Sequence, residues 1–116
     1  MKYLPLLLVL FLAACNSKTD ATLQSKSSDG KTVVDITAHR TTAADAWTAD
    51  IVVKSYNWKP GTLHVTEIYA DDLNSETVKF DWQDEHHCLI TFKLRDNTAR
   101  HFQLLCSPEA LQLGEI

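Results

Sequence analysis

From Lys31 onward, apolar and polar residues alternate with a period of two in one short run after another. TVVDITAH (32–39) alternates around Val34 and Ile36, and WTADIVVKSY (47–56) carries Ile51 and Val53 on one face, Val52 and Tyr56 on the other. TLHVTEIYA follows at 62–70. TVKFDWQ (77–83) sets Val78, Phe80 and Trp82 against Lys79 and Asp81, and HCLITFKL (87–94) and RHFQLLC (100–106) complete the set. Turn chemistry separates the runs: Pro60-Gly61 suits the two central positions of a type II turn, with glycine at positive φ, and DDLNSE (71–76) and RDNTA (95–99) are rich in turn formers. A period of two sends successive side chains to opposite faces, so each run makes a strand with one face for a core. Six such runs at short spacing predict an all-β fold, a small antiparallel β-sandwich or partly closed barrel wound as a meander of about six strands. Its core draws on Val34, Ile36, Ile51, Val53, Val78, Phe80, Trp82, Ile90, Phe92, Phe102 and Leu104.

Outside these runs the pattern changes. SPEALQ (107–112) has Ser107 placed to cap and Pro108 at a first helical position, which predicts a short C-terminal helical turn with Leu111, Leu113 and Ile116 folded over an open end of the core. TTAADAW (41–47) suits one helical turn between the first two strands. NSKTDATLQSKSSDGK (16–31) has Leu23 as its only large apolar residue; it buries too little to offset its ordering entropy and reads as a flexible tether. A coil of that length reaches roughly 20 Å. Residues 32–116 then form a single β domain, with no internal repeat.

The first residues carry a different signal. Lys2 precedes an apolar stretch, Leu4 to Leu12, broken only by Pro5, and the small residues Ala13 and Ala14 lead to Cys15. A basic start, a short apolar stretch and a small-residue cleavage site make a secretory signal. The stretch is well short of the roughly 20 residues of a transmembrane helix. LAAC (12–15) at the end of such a stretch resembles the lipobox of bacterial lipoproteins, a resemblance confined to the first 15 or so residues. It implies that residues 1–14 are a signal peptide, that Cys15 is diacylated on its thiol and acylated on its new amino group, and that 15–31 is a lipidated tether. Two or three acyl chains hold a protein stably on a bilayer. In enteric-type lipoproteins an Asp after the cysteine marks inner-membrane retention; Asn16 stands there, which points to a lipid anchor on the outer membrane, with the domain in the bacterial cell envelope.

Charge narrows the partners. The chain carries −4, and loss of Lys2 makes the mature protein one unit more negative. It lacks the basic footprint of a nucleic-acid binder, so no nucleic-acid partner is expected, and it has no polybasic patch to supplement the lipid anchor.

DEHHC (84–88) crowds two carboxylates, two imidazoles and a thiol together. Cys88 and Cys106 are the two thiols left after lipidation, in an oxidising compartment. If Asp96, Asn97 and Thr98 form the hairpin loop, Phe92 opposes Phe102, Ile90 opposes Leu104, and Cys88 opposes Cys106. That register predicts a structural disulfide between Cys88 and Cys106, worth roughly 3 kcal/mol in the chain-entropy model. Adjacent His86 and His87 then point to opposite faces, and His87 and His101 are separated by about 20 Å along the strands. No HExxH, CxxC or other ligand spacing occurs, so no metal site and no cofactor are expected. Nor is there a GxSxG elbow or a phosphate-cradling glycine loop, with three glycines in the chain. No catalytic residue emerges; Asp84/Glu85 and Asp71/Asp72 read as solvated turn acids. Trp47 and Trp58 are placed to close the two ends of the core or, with Tyr56 or Tyr69, to form a protein-contact patch.

A lipid anchor, a tether and a site-poor β domain predict a non-enzymatic protein-binding or envelope-accessory module. The alternatives are an inhibitor of a host or rival enzyme, or a carrier of a small ligand or metal. Lipid-anchored bacterial lysozyme inhibitors are similar in size, anchor and disulfide use, although their Ser-Gly-x-x-Tyr-like loop has no counterpart here.

Overall fold

The computed structural model describes residues 18–56 and 58–116; the expected signal peptide, 1–14, and the expected lipidation site, Cys15, lie outside these residues. Eight strands follow one another: β1 (Asp20–Lys26), β2 (Thr32–His39), β3 (Trp47–Ser55), β4 (Gly61–Ile68), β5 (Val78–Trp82), β6 (His87–Lys93), β7 (Ala99–Cys106) and β8 (Leu111–Glu115). They form two four-stranded antiparallel meanders, β1-β2-β3-β4 (sheet A) and β5-β6-β7-β8 (sheet B). Inward-facing residues of both sheets build one core. Val34, Ile36 and Ala38 of β2 oppose Val53, Ile51 and Ala49 of β3, and Ile90 and Phe92 meet Phe102 and Leu104 from the second sheet, all buried. The Phe92 and Phe102 rings stack edge to face, 5.7 Å between centroids, the favoured arrangement for their quadrupoles.

The all-β class and the β-sandwich arrangement match the sequence reading; the strand count and the C-terminal helical turn do not. β1 arises from the segment read as a tether. It turns Ala21 and Leu23 toward the core and pairs along its whole length with β2. An edge strand needs little apolar surface of its own when a neighbour supplies the ladder. A turn completes the hairpin: the Ser27 N–H donates to the Thr32 carbonyl at 2.9 Å, the Asp29 carboxylate accepts the Ser27 hydroxyl and the Lys31 N–H, and Gly30 adopts φ +73°, where glycine has no steric penalty. The single domain therefore begins well before residue 32.

At the other end of the chain, Ser107 does not cap a helix. Its N–H bonds the Ala110 carbonyl at 2.9 Å and its Oγ accepts the Ala110 N–H at 3.0 Å, so Ser107-Pro108-Glu109-Ala110 is a tight reversal into β8. A capping serine and a following proline serve a turn as well as a helix start. Residues 41–46 likewise form turns and no helix.

Gly61 begins β4 and is not among the positive-φ residues, so Pro60-Gly61 is not the type II turn expected. Its glycine serves a different need: an added Cβ would meet Leu111 Cδ2, so β4 approaches β8 closely there. Farther along β4, the register shifts by one between Trp47 and Ala49 of β3, and Glu67 takes φ +59°. The bulge brings Val65 and Ile68, three residues apart, both into the core. It also frees the Thr66 and Glu67 carbonyls, which accept from Arg100 Nη1 at 2.8 and 3.1 Å, while Arg100 grips Glu115 through two bonds of 2.7 and 2.8 Å.

The β6–β7 hairpin corrects the thiol prediction. Leu94 N–H donates to the Thr98 carbonyl, and Asn97 takes φ +69°, so the loop is Arg95-Asp96-Asn97, one residue earlier than expected. The pairing slips by two: Cys88 opposes Leu104 and Ile90 opposes Phe102. Cys106 lies one step beyond, its N–H on the His86 carbonyl at 2.7 Å. A slip of two keeps every side chain on its face, so both cysteines point into the core. They are diagonal neighbours rather than an opposed pair, and both are free buried thiols.

Candidate functional site at the turn-lined end of the sandwich

Antiparallel strands collect their turns at two ends, and the two ends differ. One gathers residues 40–46, 69–77 and 94–98 around Trp47. Its indole is fully buried and donates to the Ala70 carbonyl at 3.0 Å. The Arg40 guanidinium lies over its ring, 4.1 Å from the centroid, and is itself buried. Arg40 donates to the carbonyls of Lys18, Ala43, Ala70 and Asp71 at 2.9–3.2 Å, an all-carbonyl environment that suits the weakly hydrated, many-donor guanidinium. Arg95 adds a bond of 3.1 Å to Ala70 O and faces the Asp71 carboxylate at 3.6 Å. Nothing in the local sequence around Arg40 announces this role; its partners come from three separate loops.

The opposite end gathers the β1–β2, β3–β4, β5–β6 and β7–β8 turns. Here two hollows adjoin. The first, about 330 Å³, is lined by Tyr56, Trp58, Pro108, Glu85, His86 and the Asp29–Thr32 turn. The second, about 250 Å³, is bounded by Trp58, Pro108, Val53, Ala110, Leu111 and Lys59. Trp58 and Pro108 border both and form the ridge between them. Trp58 is half-buried and packed against the core, whereas Tyr56 is 79% exposed. The two aromatics therefore offer one anchored ring and one accessible ring. A wider trough of about 520 Å³ lies on the outer face of sheet A, between β1, β2 and β3. It is an open sheet surface whose polar groups already bond one another: Gln24 with Asp35 at 2.8 Å and Lys54 with Asp35 at 3.4 Å.

DEHHC belongs to the hollow end. The Asp84 carboxylate accepts the N–H groups of His86 and His87 at 2.7 and 2.8 Å and the His87 Nδ1 at 2.9 Å. The His87 side-chain bond, followed by the His86 N–H, holds its pKa below the ordinary aspartate value. His86 turns away and bonds the Cys106 carbonyl through Nδ1 at 3.0 Å; since a carbonyl only accepts, Nδ1 carries the proton and Nε2 is the acceptor of the neutral ring. Cys88 is buried beneath them. Burial first, then the neighbouring Cys106, pushes its thiol up to about 12, and burial pushes Cys106 to about 11. At neutral pH both are protonated and unreactive.

Among the described residues no three His, Cys, Asp or Glu side chains converge to hold a metal. His39 pairs with Asp20 at 2.9 Å and His64 with Asp50 at 2.6 Å, all exposed, and His101 meets Thr91 at 3.0 Å. Of the turn acids at 71 and 72, Asp72 accepts the Leu73 N–H at 2.8 Å, while the Asp71 carboxylate is solvated and faces Arg95 at 3.6 Å. No helix among the described residues is long and apolar enough to cross a membrane.

The sequence correctly places Trp47 and Trp58 at the two ends of the core, one at each. It leaves unresolved that Tyr56 and Trp58, His86 and Pro108, from three different turns, meet; only the pairing of the sheets brings those turns together. Compared with known proteins, the chain has no match: no family model, no curated protein and no solved structure.

Proposed function

We propose that this protein is an outer-membrane lipoprotein, anchored through an acylated Cys15, whose β-sandwich holds a protein partner and performs no catalysis. The observation that carries the reading is the path of the chain. Lys18 and Thr19 lie at the Arg40 end, bonded through their carbonyls to the Arg40 side chain and backbone at 2.9 Å. The hollows lie at the far end of the strands; β1 alone, seven residues long, separates the ends by about 23 Å. Cys15 precedes Lys18 by three residues, a reach of about 10 Å when extended. An acylated Cys15 therefore holds the Arg40 end beside the lipid and turns the Tyr56–Trp58 end outward, where a partner has access. The tether is short under this reading, and the domain stands close to the bilayer instead of roaming above it.

The experiment has two parts. Intact mass of the full-length protein from its own membranes reads the acyl chains, and Cys15→Ala releases the protein from the membrane fraction. A photo-crosslinking residue at Lys59 then captures a protein partner, while one at Thr42 does not. Capture from Thr42 alone would sink the orientation, and an unacylated chain would sink the anchor.

A further inference from the structure

We propose that the paired hollows bind an extended, proline-rich segment of the partner, seated with one proline or aliphatic residue on each side of the Trp58–Pro108 ridge. The inference rests on the protein-binding reading above and names the chemistry of its ligand.

Three observations carry it. The first is the shape: two adjoining hollows of about 330 and 250 Å³ divided by a tryptophan and a proline. A polyproline II chain has three residues per turn and presents its rings as alternating ridges, which aromatic-walled grooves of this form receive. The second is an indole without a partner. Trp47 donates to Ala70 O and Trp82 to Ser25 Oγ, at 3.0 and 2.9 Å. The Trp58 N–H has no acceptor among the described residues, although its ring is held against the core. A polyproline II segment makes no internal hydrogen bonds, so its carbonyls are free to accept that N–H. The third is charge. The hollows' rims carry Lys31 and Lys59 against Glu85 and Glu109, none in an ion pair or side-chain hydrogen bond among the described residues, while Asp29 is engaged by its own turn. The balance favours an uncharged ligand. A neutral saccharide would also stack on Trp58 and find polar partners in Lys59, Ser107 and Glu109, whereas the remaining wall of the second hollow, Val53, Ala110 and Leu111, is apolar. That wall suits a pyrrolidine ring.

The test uses uniformly 15N-labelled full-length protein in detergent micelles, titrated with N-acetyl-decaproline amide. The Trp58 Nε1–H resonance, identified by its loss in Trp58→Phe, moves and saturates, while those of Trp47 and Trp82 stay in place. Trp58→Phe keeps an aromatic face but removes the N–H and part of the stacking area, and weakens binding, followed through the backbone amides of Lys59 and Ala110, by about fivefold or more. No movement at millimolar decaproline overturns the proposal, as does movement with tetra-N-acetylchitotetraose and not with decaproline. The Lys59 crosslink separates this failure from failure of the wider reading. An adduct in a proline-poor stretch of a partner overturns the proline-rich ligand and leaves a protein-binding domain, whereas absence of any adduct overturns both.

Discussion

Each end of this sandwich has a tryptophan, several turns and a group of charged side chains, yet the two are finished differently. At the Arg40 end, Trp47 is fully buried, its N–H is satisfied, and two arginines tie three loops together through backbone carbonyls. At the far end, Trp58 is half-buried, Tyr56 is almost bare, and two hollows stand open between the turns. Satisfied polar groups in a buried site rigidify it, whereas open concave surface with anchored aromatics is what a binding site needs. One end is closed by satisfied polar groups, and the other keeps open concave surface, the feature on which the proposed recognition role rests.

The sharpest way to break this contrast is to remove Arg40. Arg40→Ala takes the only side-chain donor among the described residues from the Lys18 and Asp71 carbonyls and uncovers the Trp47 ring; we expect a loss of about 3 kcal/mol in urea denaturation. Arg40→Lys keeps the charge but not the fork of donors, and should recover less than half of that. Trp58→Ala, at the other end, should cost about 1.5 kcal/mol or less, because its ring is already half in water. A cost for Trp58→Ala equal to that for Arg40→Ala would erase the distinction between the two ends.

The thiols sharpen it next. In native protein at pH 8 iodoacetamide should leave Cys88 and Cys106 untouched, since burial keeps both far above ordinary thiol pKa values. In urea both should alkylate without reductant, read as two adducts by mass. A protein that takes up no label in urea until reduced would have its thiols bonded.

The smallest effect is a pH dependence. The Arg100 side chain holds the Glu115 carboxyl below its ordinary value. A carboxyl depressed in the folded state contributes its stability in full above the unfolded pKa, and loses it as pH falls through the folded pKa. Glu115→Gln, which leaves the Arg100 bonds to the Thr66 and Glu67 carbonyls in place, should therefore lower the urea midpoint at pH 6 and leave it nearly unchanged in strong acid, where the wild type has already lost the pair. Because Glu115 is exposed, the difference will be modest.

Alternation made six of the eight strands legible, and even the misplaced β6–β7 loop did little damage. A register slip of two leaves Ile90, Phe92, Phe102 and Leu104 on the core face, so the core was predictable where the opposition of Cys88 and Cys106 was not. β1 was hidden because an edge strand takes its hydrogen bonds from β2 and needs few apolar residues of its own; Ala21, Leu23 and Ser25 look like any polar linker. β8 was hidden because Ser107-Pro108 fits both a helix start and a turn. The candidate site was only half visible. Trp58 and Tyr56 stand out as aromatics beside a proline, but their meeting with His86 and Pro108 depends on how sheet A lies over sheet B, and no local pattern encodes that.

The β4 bulge has a consequence for how copies of this chain meet when crowded together. A regular outer strand offers its unpaired N–H and C=O groups as a template for a neighbouring molecule. On β4 that template is spoiled: Glu67 breaks the strand's repeat at φ +59°, and Arg100 occupies the Thr66 and Glu67 carbonyls. The end of β4 at Thr66 and Glu67 is thereby closed to a foreign strand, which shortens the open edge on that side of sheet A to the Gly61–Val65 stretch.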